Sequence, residues 1–168
     1  MDWLLSGKPR AVQLEANKRS YPRPTYAYFM EMRLGKTAAV LNEYLLFQRD
    51  YNVRRLMVFA PSKYKWGWEA EIRKFGMIEK VLVFESGNQG RNQLQNYDGD
   101  IVIVNYEALI YEDNVKLLAR FRPDMVVADE SVMIKNRNTT FFKNSRMIAD
   151  QAKVVRILTG KPVVQGAH

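Results

Sequence analysis

The sequence predicts an α/β fold, a three-layer sandwich whose central sheet is mainly parallel. Two observations carry this reading. Continuous apolar runs such as Arg55-Leu-Met-Val-Phe-Ala60 and Ile101-Val-Ile-Val104 lack polar alternation and read as strands buried on both faces. Segments with helical spacing of apolar residues separate them, as a sheet covered by helices on both sides requires. With 168 residues and a hydrophobic fraction of 47%, the chain fits one domain with a substantial core.

The elements follow in order. Residues 9–20 read as a helix, with Val12 and the 14–16 region packing inward. Tyr21-Pro-Arg-Pro-Thr25 ends it, since neither proline continues a helix. Residues 25–30 form an aromatic, strand-like run, and 36–48 place Ala39, Val40, Tyr44 and Phe47 at helical spacing. The strand at 55–60 leads through Pro61 and Ser62 into a helix reaching Phe75. A strand at 81–84 precedes a polar Gly/Asn/Gln loop over 86–100. Next come a strand at 101–104, helical material at 106–121, a strand at 125–128, a helix at 139–152 and a last strand at 154–158. In such folds ligands bind at the carboxyl ends of the strands, and each motif below directly follows a strand.

Composition narrows the partners. The chain carries 26 Lys and Arg against 18 Asp and Glu, a formal charge of +8 with a pI near 9.7. A polyanionic partner fits that balance, as does a generally basic soluble surface. No cysteine is present, which excludes a disulfide framework and thiolate metal sites. No apolar run approaches the ~20 residues that span a bilayer. The N-terminus has Asp2 where a signal peptide carries positive charge, so an intracellular location is expected.

Two segments carry chemistry. Phe29-Met-Glu-Met-Arg-Leu-Gly-Lys-Thr37 runs from a strand through a turn into a helix. Gly35, Lys36 and Thr37 match the end of a phosphate-binding loop, where backbone amides and a helix N-terminus surround phosphate oxygens. Lys adds a point charge there, and Thr a magnesium ligand. The full pattern requires Gly at position 30, where Met30 stands, so Lys36 and Thr37 alone also fit an ordinary strand–turn–helix. Met125-Val-Val-Ala-Asp-Glu130 is a strand ending in two carboxylates. One can hold magnesium and the other polarise an attacking water. Together the two segments make ATP with magnesium the leading ligand.

These residues resemble the first RecA-like domain of superfamily-two helicases and translocases, a P-loop NTPase fold, and in particular the Swi/Snf branch. Lys8-Pro-Arg-Ala-Val-Gln13 is similar to the Q-motif region, and Glu31-Met-Arg-Leu-Gly-Lys-Thr37 to motif I. Phe59-Ala-Pro-Ser62 with Trp68-Glu-Ala-Glu-Ile72 and Phe75 resembles motif Ia and the segment that trails it. Val104-Asn-Tyr-Glu107 resembles motif Ib, Asp129-Glu-Ser-Val-Met-Ile-Lys-Asn136 motif II, and Leu158-Thr-Gly-Lys-Pro162 motif III.

The resemblance implies roles. Gln13 would recognise adenine, with Arg33, Leu34, Gly35, Lys36, Thr37 and Asp129 completing the ATP site. Lys36 would contact the β- and γ-phosphates, Thr37 and Asp129 would hold magnesium, and Glu130 would activate water. Pro61, Ser62, Lys63, Asn105 and Tyr106 would face the nucleic-acid backbone, with Lys135 and Asn136 supporting that region. Thr159 and Gly160 would couple the two activities. Duplex DNA would be bound without sequence choice.

Departures from the family pattern are Arg33 for Gly, Val132 for His and Lys161 for Thr. They motivate an alternative, a degenerate nucleotide- or DNA-binding module without turnover. A small-molecule kinase is a third reading, opposed by the Ile134-Lys-Asn136 extension. Residues 1–168 are expected to form one N-terminal lobe, with 1–24 leading into it through the Q-motif region and a second RecA-like domain lying elsewhere in a longer protein. Trp66 and Trp68 are expected to pack, as are Met30 and Met32. The basic stretches at 63–65 and 135–143 read as solvated faces, and the lone His168 as no catalytic base.

Overall fold

A computed structural model describes residues 1–31, 33–130 and 136–160. Six strands form one parallel sheet: β1 (Thr25–Phe29), β2 (Leu56–Ala60), β3 (Val81–Val83), β4 (Ile101–Asn105), β5 (Met125–Ala128) and β6 (Val154–Thr159). Their spatial order is β1-β6-β5-β2-β4-β3. Among the described residues six helices accompany them: α1 (Ala11–Ser20), α2 (Lys36–Tyr51), α3 (Lys65–Lys74), α4 (Asn88–Gln95), α5 (Glu112–Phe121) and α6 (Thr140–Ala149).

Strand alternation divides the core in two. Leu56, Val58, Ile101, Ile103, Met125 and Val127 point to the face covered by α2 and α3, where Leu41, Tyr44, Trp68 and Ile72 meet them. Met57, Phe59, Val102, Val104 and Val126 point to the other face, against Leu94, Leu118, Phe121 and Ile148 of α4, α5 and α6. The register fixes this split: Val58 lies opposite both Ile103 and Val127, so β-branched side chains layer across three strands. The three-layer sandwich with a parallel sheet is therefore the observed architecture.

Four local expectations change. The residues that α1 buries are Gln13, Asn17 and Ser20, a helical spacing of polar residues, while Val12 is 38% exposed. The period was legible and the polarity inverted, because α1 covers hydrogen-bonding groups and not an apolar sheet face. The expected 86–100 loop contains α4. Leu94 fastens it, and Gly90 lets it lie against the chain, since a Cβ there would fall 1.6 Å from the Glu85 carbonyl oxygen. The expected helices at 62–75 and 106–121 each begin as a 3₁₀ turn, at Ser62–Tyr64 and Tyr106–Ile110, before α3 and α5.

The groups beneath α1 form one network. Arg156 of β6 and Glu43 of α2 are both fully buried, joined by Nε to Oε2 at 2.8 Å and Nη2 to Oε1 at 2.9 Å. Remaining guanidinium donors reach the carbonyls of Val155 (2.9 Å) and Arg23 (2.8 Å). The Phe47 ring centroid lies 5.4 Å from the guanidinium carbon. The Tyr28 hydroxyl donates to Glu43 at 2.6 Å and receives the Asn17 amide at 3.0 Å, and burial pushes its pKa up. Asn17 and Asn42 are bonded at 2.9 Å, and Asn42 in turn holds the backbone of Asp2 and Leu4.

A buried pair of this kind is favourable only while its charges and hydrogen bonds are matched. Arg156→Met strands the Glu43 charge and is expected to cost about 3–5 kcal/mol in urea denaturation. Adding Glu43→Gln is expected to restore part of that loss. A single variant as stable as the parent would refute the role given to this pair.

Candidate functional site

Parallel strands bring their carboxyl ends to one edge of the sheet, so segments far apart in sequence meet there. Gly35 leads into α2 a few residues after β1 ends. Gly35 takes φ +82°, which favours glycine, and a Cβ on it would lie 2.3 Å from Gln13 Nε2 and displace that amide. The N-terminus of α2 has no side-chain cap, which leaves its first amides open to an anion. The Lys36 ammonium donates to the carbonyls of Met30 (3.0 Å) and Glu31 (3.3 Å), closing the loop on itself.

Arg33, where relatives were expected to carry glycine, adopts φ +67°. An arginine thus holds a left-handed conformation that glycine adopts freely. Its carbonyl accepts from Arg10 Nη1 at 2.8 Å. Gln13, only 6% exposed, braces the same loop: its Nε2 donates to the Gly35 carbonyl at 3.1 Å and its Oε1 accepts from the Arg10 amide at 2.7 Å.

Opposite stands the acid pair after β5. The Asp129 amide continues the ladder to the Phe59 carbonyl at 2.8 Å. Its Oδ1 accepts from the Glu130 amide and its Oδ2 from Trp68 Nε1, both at 2.8 Å. The Tyr106 hydroxyl donates to the Asp129 carbonyl at 2.7 Å. Burial pushes the Asp129 carboxyl up from its ordinary pKa, and the Trp68 hydrogen bond and Lys36 charge partly offset this. Glu130 turns at φ +48°.

A cleft of about 700 Å³ joins the two halves. Lys8, Arg10, Arg33, Lys36 and Lys74 supply its positive charge, while Asp129 and Glu130 stand among its acids. Trp3, Trp68 and Phe75 provide apolar wall. Gln13, Gly35, Thr37 and Asp129 all line this one space, and Leu34 is half-buried beside it. Among the described residues no cluster of three His, Cys, Asp or Glu forms a cation cage.

The residues expected to face nucleic acid separate into two groups. Ser62 and Lys63 are exposed just past β2, and Asn136 is exposed at the turn into α6, its Oδ1 accepting from the Asn138 amide at 3.1 Å. Pro61 is buried, and Asn105 is 9% exposed with its amide on Glu107 Oε2 at 3.0 Å. Tyr106 is 1% exposed with its hydroxyl committed to Asp129, so it supports the acid pair from inside and does not face outward. Thr159 ends β6 opposite Phe29, and Gly160 follows it, half-buried. Lys135, Val132, Lys161, Met32 and His168 lie outside the described residues.

Other expectations are revised. Trp66 does not pack: it is 54% exposed. Trp68 packs at 2% exposure and also holds Asp129, a bond across 61 residues that no local pattern announces. Lys65 is no solvated cation but is 7% exposed and paired with Glu85 at 2.7 Å. Met30, at 8% exposure, packs as expected. Trp3, missed altogether, reaches the cleft from the N-terminal segment that Asn42 fastens.

Comparison with known proteins agrees with this geometry. Residues 28–168 match the SNF2-related domain. A helicase described as ATP-dependent from Mycoplasma pneumoniae is 30% identical over 138 residues, covering 79% of this chain and 13% of that protein. The ISWI chromatin-remodeling complex ATPase CHR17 of Arabidopsis thaliana is 28% identical over 145 residues, covering 82% and 13%. The chain thus spans about 13% of the length of these relatives. In structure, the Sulfolobus solfataricus SWI2/SNF2 ATPase core solved with double-stranded DNA superposes with a TM-score of 0.84 at 22% identity, over 99% of this chain and 35% of that one. The same core solved without DNA gives 0.76 at 23% identity, covering 95% and 32%. The motif order, the RecA-like sheet and the domain match together assign the chain to the SNF2-related family, as a first RecA-like domain of the Swi/Snf type.

Proposed function

We propose that this chain is the nucleotide-binding lobe of an ATP-driven DNA translocase, taking ATP with magnesium in the cleft between Gly35–Thr37 and Asp129–Glu130. The observation that carries the reading is the facing of an uncapped helix N-terminus with Lys36 and a half-buried strand-end acid pair across one cleft. Amides and a lysine suit phosphate oxygens, and the α2 dipole adds to their pull.

The donor set fits magnesium, which typically takes one or two carboxylates and completes its shell with phosphate and water. Thr37 and Asp129 would hold it, and when bound it would neutralise charge on the phosphates. On this reading Lys36 leaves the carbonyls of Met30 and Glu31 for the phosphates, and Glu130 orients and deprotonates water. Gln13 and the apolar walls of Trp3 and Phe75 form the end of the cleft suited to a base. Ser62, Lys63, Lys135 and Asn136 would meet the backbone of duplex DNA, and Asn105 would do so on releasing Glu107, with Thr159 and Gly160 relaying between the sites. A second RecA-like domain would complete the cleft, since an arginine from outside the phosphate lobe is typically worth ~10³–10⁵ in rate. Residues 1–168 would then be a single lobe, binding ATP with magnesium weakly and turning it over slowly without that partner.

Calorimetry on this chain is expected to show magnesium-dependent ATP binding that Lys36→Ala abolishes. Equal binding by the variant would refute the site. In a protein carrying both lobes, Glu130→Gln is expected to bind ATP and lose DNA-stimulated hydrolysis by at least ~10²-fold. Arg33→Gly is expected to keep or raise the melting temperature, because relief of the left-handed strain of ~1–2 kcal/mol offsets the added freedom of the unfolded chain. A large drop in melting temperature would show that the arginine side chain holds the loop. Lys63→Ala is expected to lower the salt dependence of duplex binding by about one phosphate contact. An unchanged slope would remove Lys63 from the interface.

A further inference from the structure

Asp129 is gripped from three directions. β5 carries it, α3 reaches it through Trp68, and the 3₁₀ turn Tyr106–Ile110 reaches it through Tyr106. We propose that Trp68 and Tyr106 are positioning residues that make Asp129 the shared tether of the two segments assigned above to DNA, so that contact at either is felt at the magnesium ligand. The proposal rests on the nucleotide and DNA reading just given.

The mechanical path is short on both sides. The turn Ser62–Tyr64 runs directly into α3 at Lys65, so Ser62, Lys63 and Trp68 belong to one continuous helical segment with no loop to absorb a displacement. Tyr106 immediately follows Asn105 at the end of β4. Both rings are held: Trp68 is 2% exposed, and Tyr106, at 1%, lies against Phe59 and Phe141 at centroid distances of 6.3 and 6.1 Å. Packed side chains of this kind move with their elements and do not swing alone.

The two tethers act on different atoms. Trp68 binds Oδ2 and, with the Glu130 amide on Oδ1, fixes the plane of the carboxylate. A carboxylate has about four acceptor sites, so capacity remains for a cation and its waters. Tyr106 binds the Asp129 carbonyl, which belongs to the peptide leading into Glu130. That peptide sets the φ of +48° at Glu130, a conformation a non-glycine residue keeps only when its surroundings enforce it. Trp68 therefore orients the metal ligand, and Tyr106 orients the residue assigned to water.

The test uses mant-ATP as a fluorescent probe and titrates magnesium into the chain. Trp68→Phe keeps an aromatic ring and removes the indole N–H. It is expected to raise the magnesium midpoint by roughly tenfold or more, the usual effect of losing an outer partner of a ligating carboxylate, while binding in EDTA stays unchanged. An unchanged midpoint, or an equal loss with and without magnesium, overturns the positioning role. In the ¹⁵N-labelled wild-type chain, the Trp68 indole resonance is expected to shift when a short DNA duplex is added without nucleotide, and not to shift in Lys63→Ala. A resonance indifferent to bound duplex overturns the coupling. Should Trp68→Phe melt early, the wild-type resonance carries the test of the coupling. A wild-type chain that binds neither magnesium–mant-ATP nor duplex refutes the functional reading itself, an outcome distinct from those that refute the tether alone.

Discussion

Arg156 and Glu43 form the constraint on which the rest of the nucleotide side depends. A guanidinium in β6, with none of its surface in water, needs a carboxylate and a full set of acceptors, and α1, α2 and the approach to β1 must all come to it. The pair therefore adds a polar tie among α1, α2, β6 and the approach to β1, beside the apolar core they share. Tyr28 ties β1 to the same carboxylate, and Asn17 ties α1 to α2 through the Ala39 carbonyl. Gln13, one turn before Asn17, then arrives against Gly35. The loop that closes on Lys36 is thus placed by polar groups buried well beneath it.

The opposite wall is built by different physics. β2, β4 and β5 are buried throughout, and their apolar layers determine where Asp129 emerges. Its carboxylate stays at the cleft because Trp68 and the Glu130 amide hold it and Tyr106 holds its carbonyl, while burial works against its charge. The site therefore unites a rigid apolar scaffold with a polar one, and conformationally demanding residues stand on both walls: Arg33 and Gly35 on one, Glu130 on the other. Strain held at a site by its surroundings is a recurring feature of pre-organised chemistry.

Much of this was legible from residue order. Strand runs such as Ile101-Val-Ile-Val104 are apolar without break because both faces are covered, and that condition writes itself directly into sequence. The phosphate loop and acid pair were legible because each is local, a few residues at a strand end. The α1 face was misread since Gln13, Asn17 and Ser20 are buried by partners in α2, β1 and β6, far along the chain. Trp66 and Trp68 share a helix, yet one faces solvent and the other the acid pair, a distinction set by how α3 lies on the sheet. Helix α4 escaped notice because a single leucine and a close glycine contact are too weak a periodic signal.

The sequence by itself determined the alternation of strand and helix, the parallel sheet, and the identity of the loop and acid pair, since these follow from short-range pattern and backbone chemistry. Only the tertiary structure decided that Arg33 could stand in for glycine at a positive φ. It alone turned Tyr106 inward and gave Asp129 its partners, because hydrogen bonds between residues 23 and 61 positions apart exist only once the sheet has brought its strand ends together.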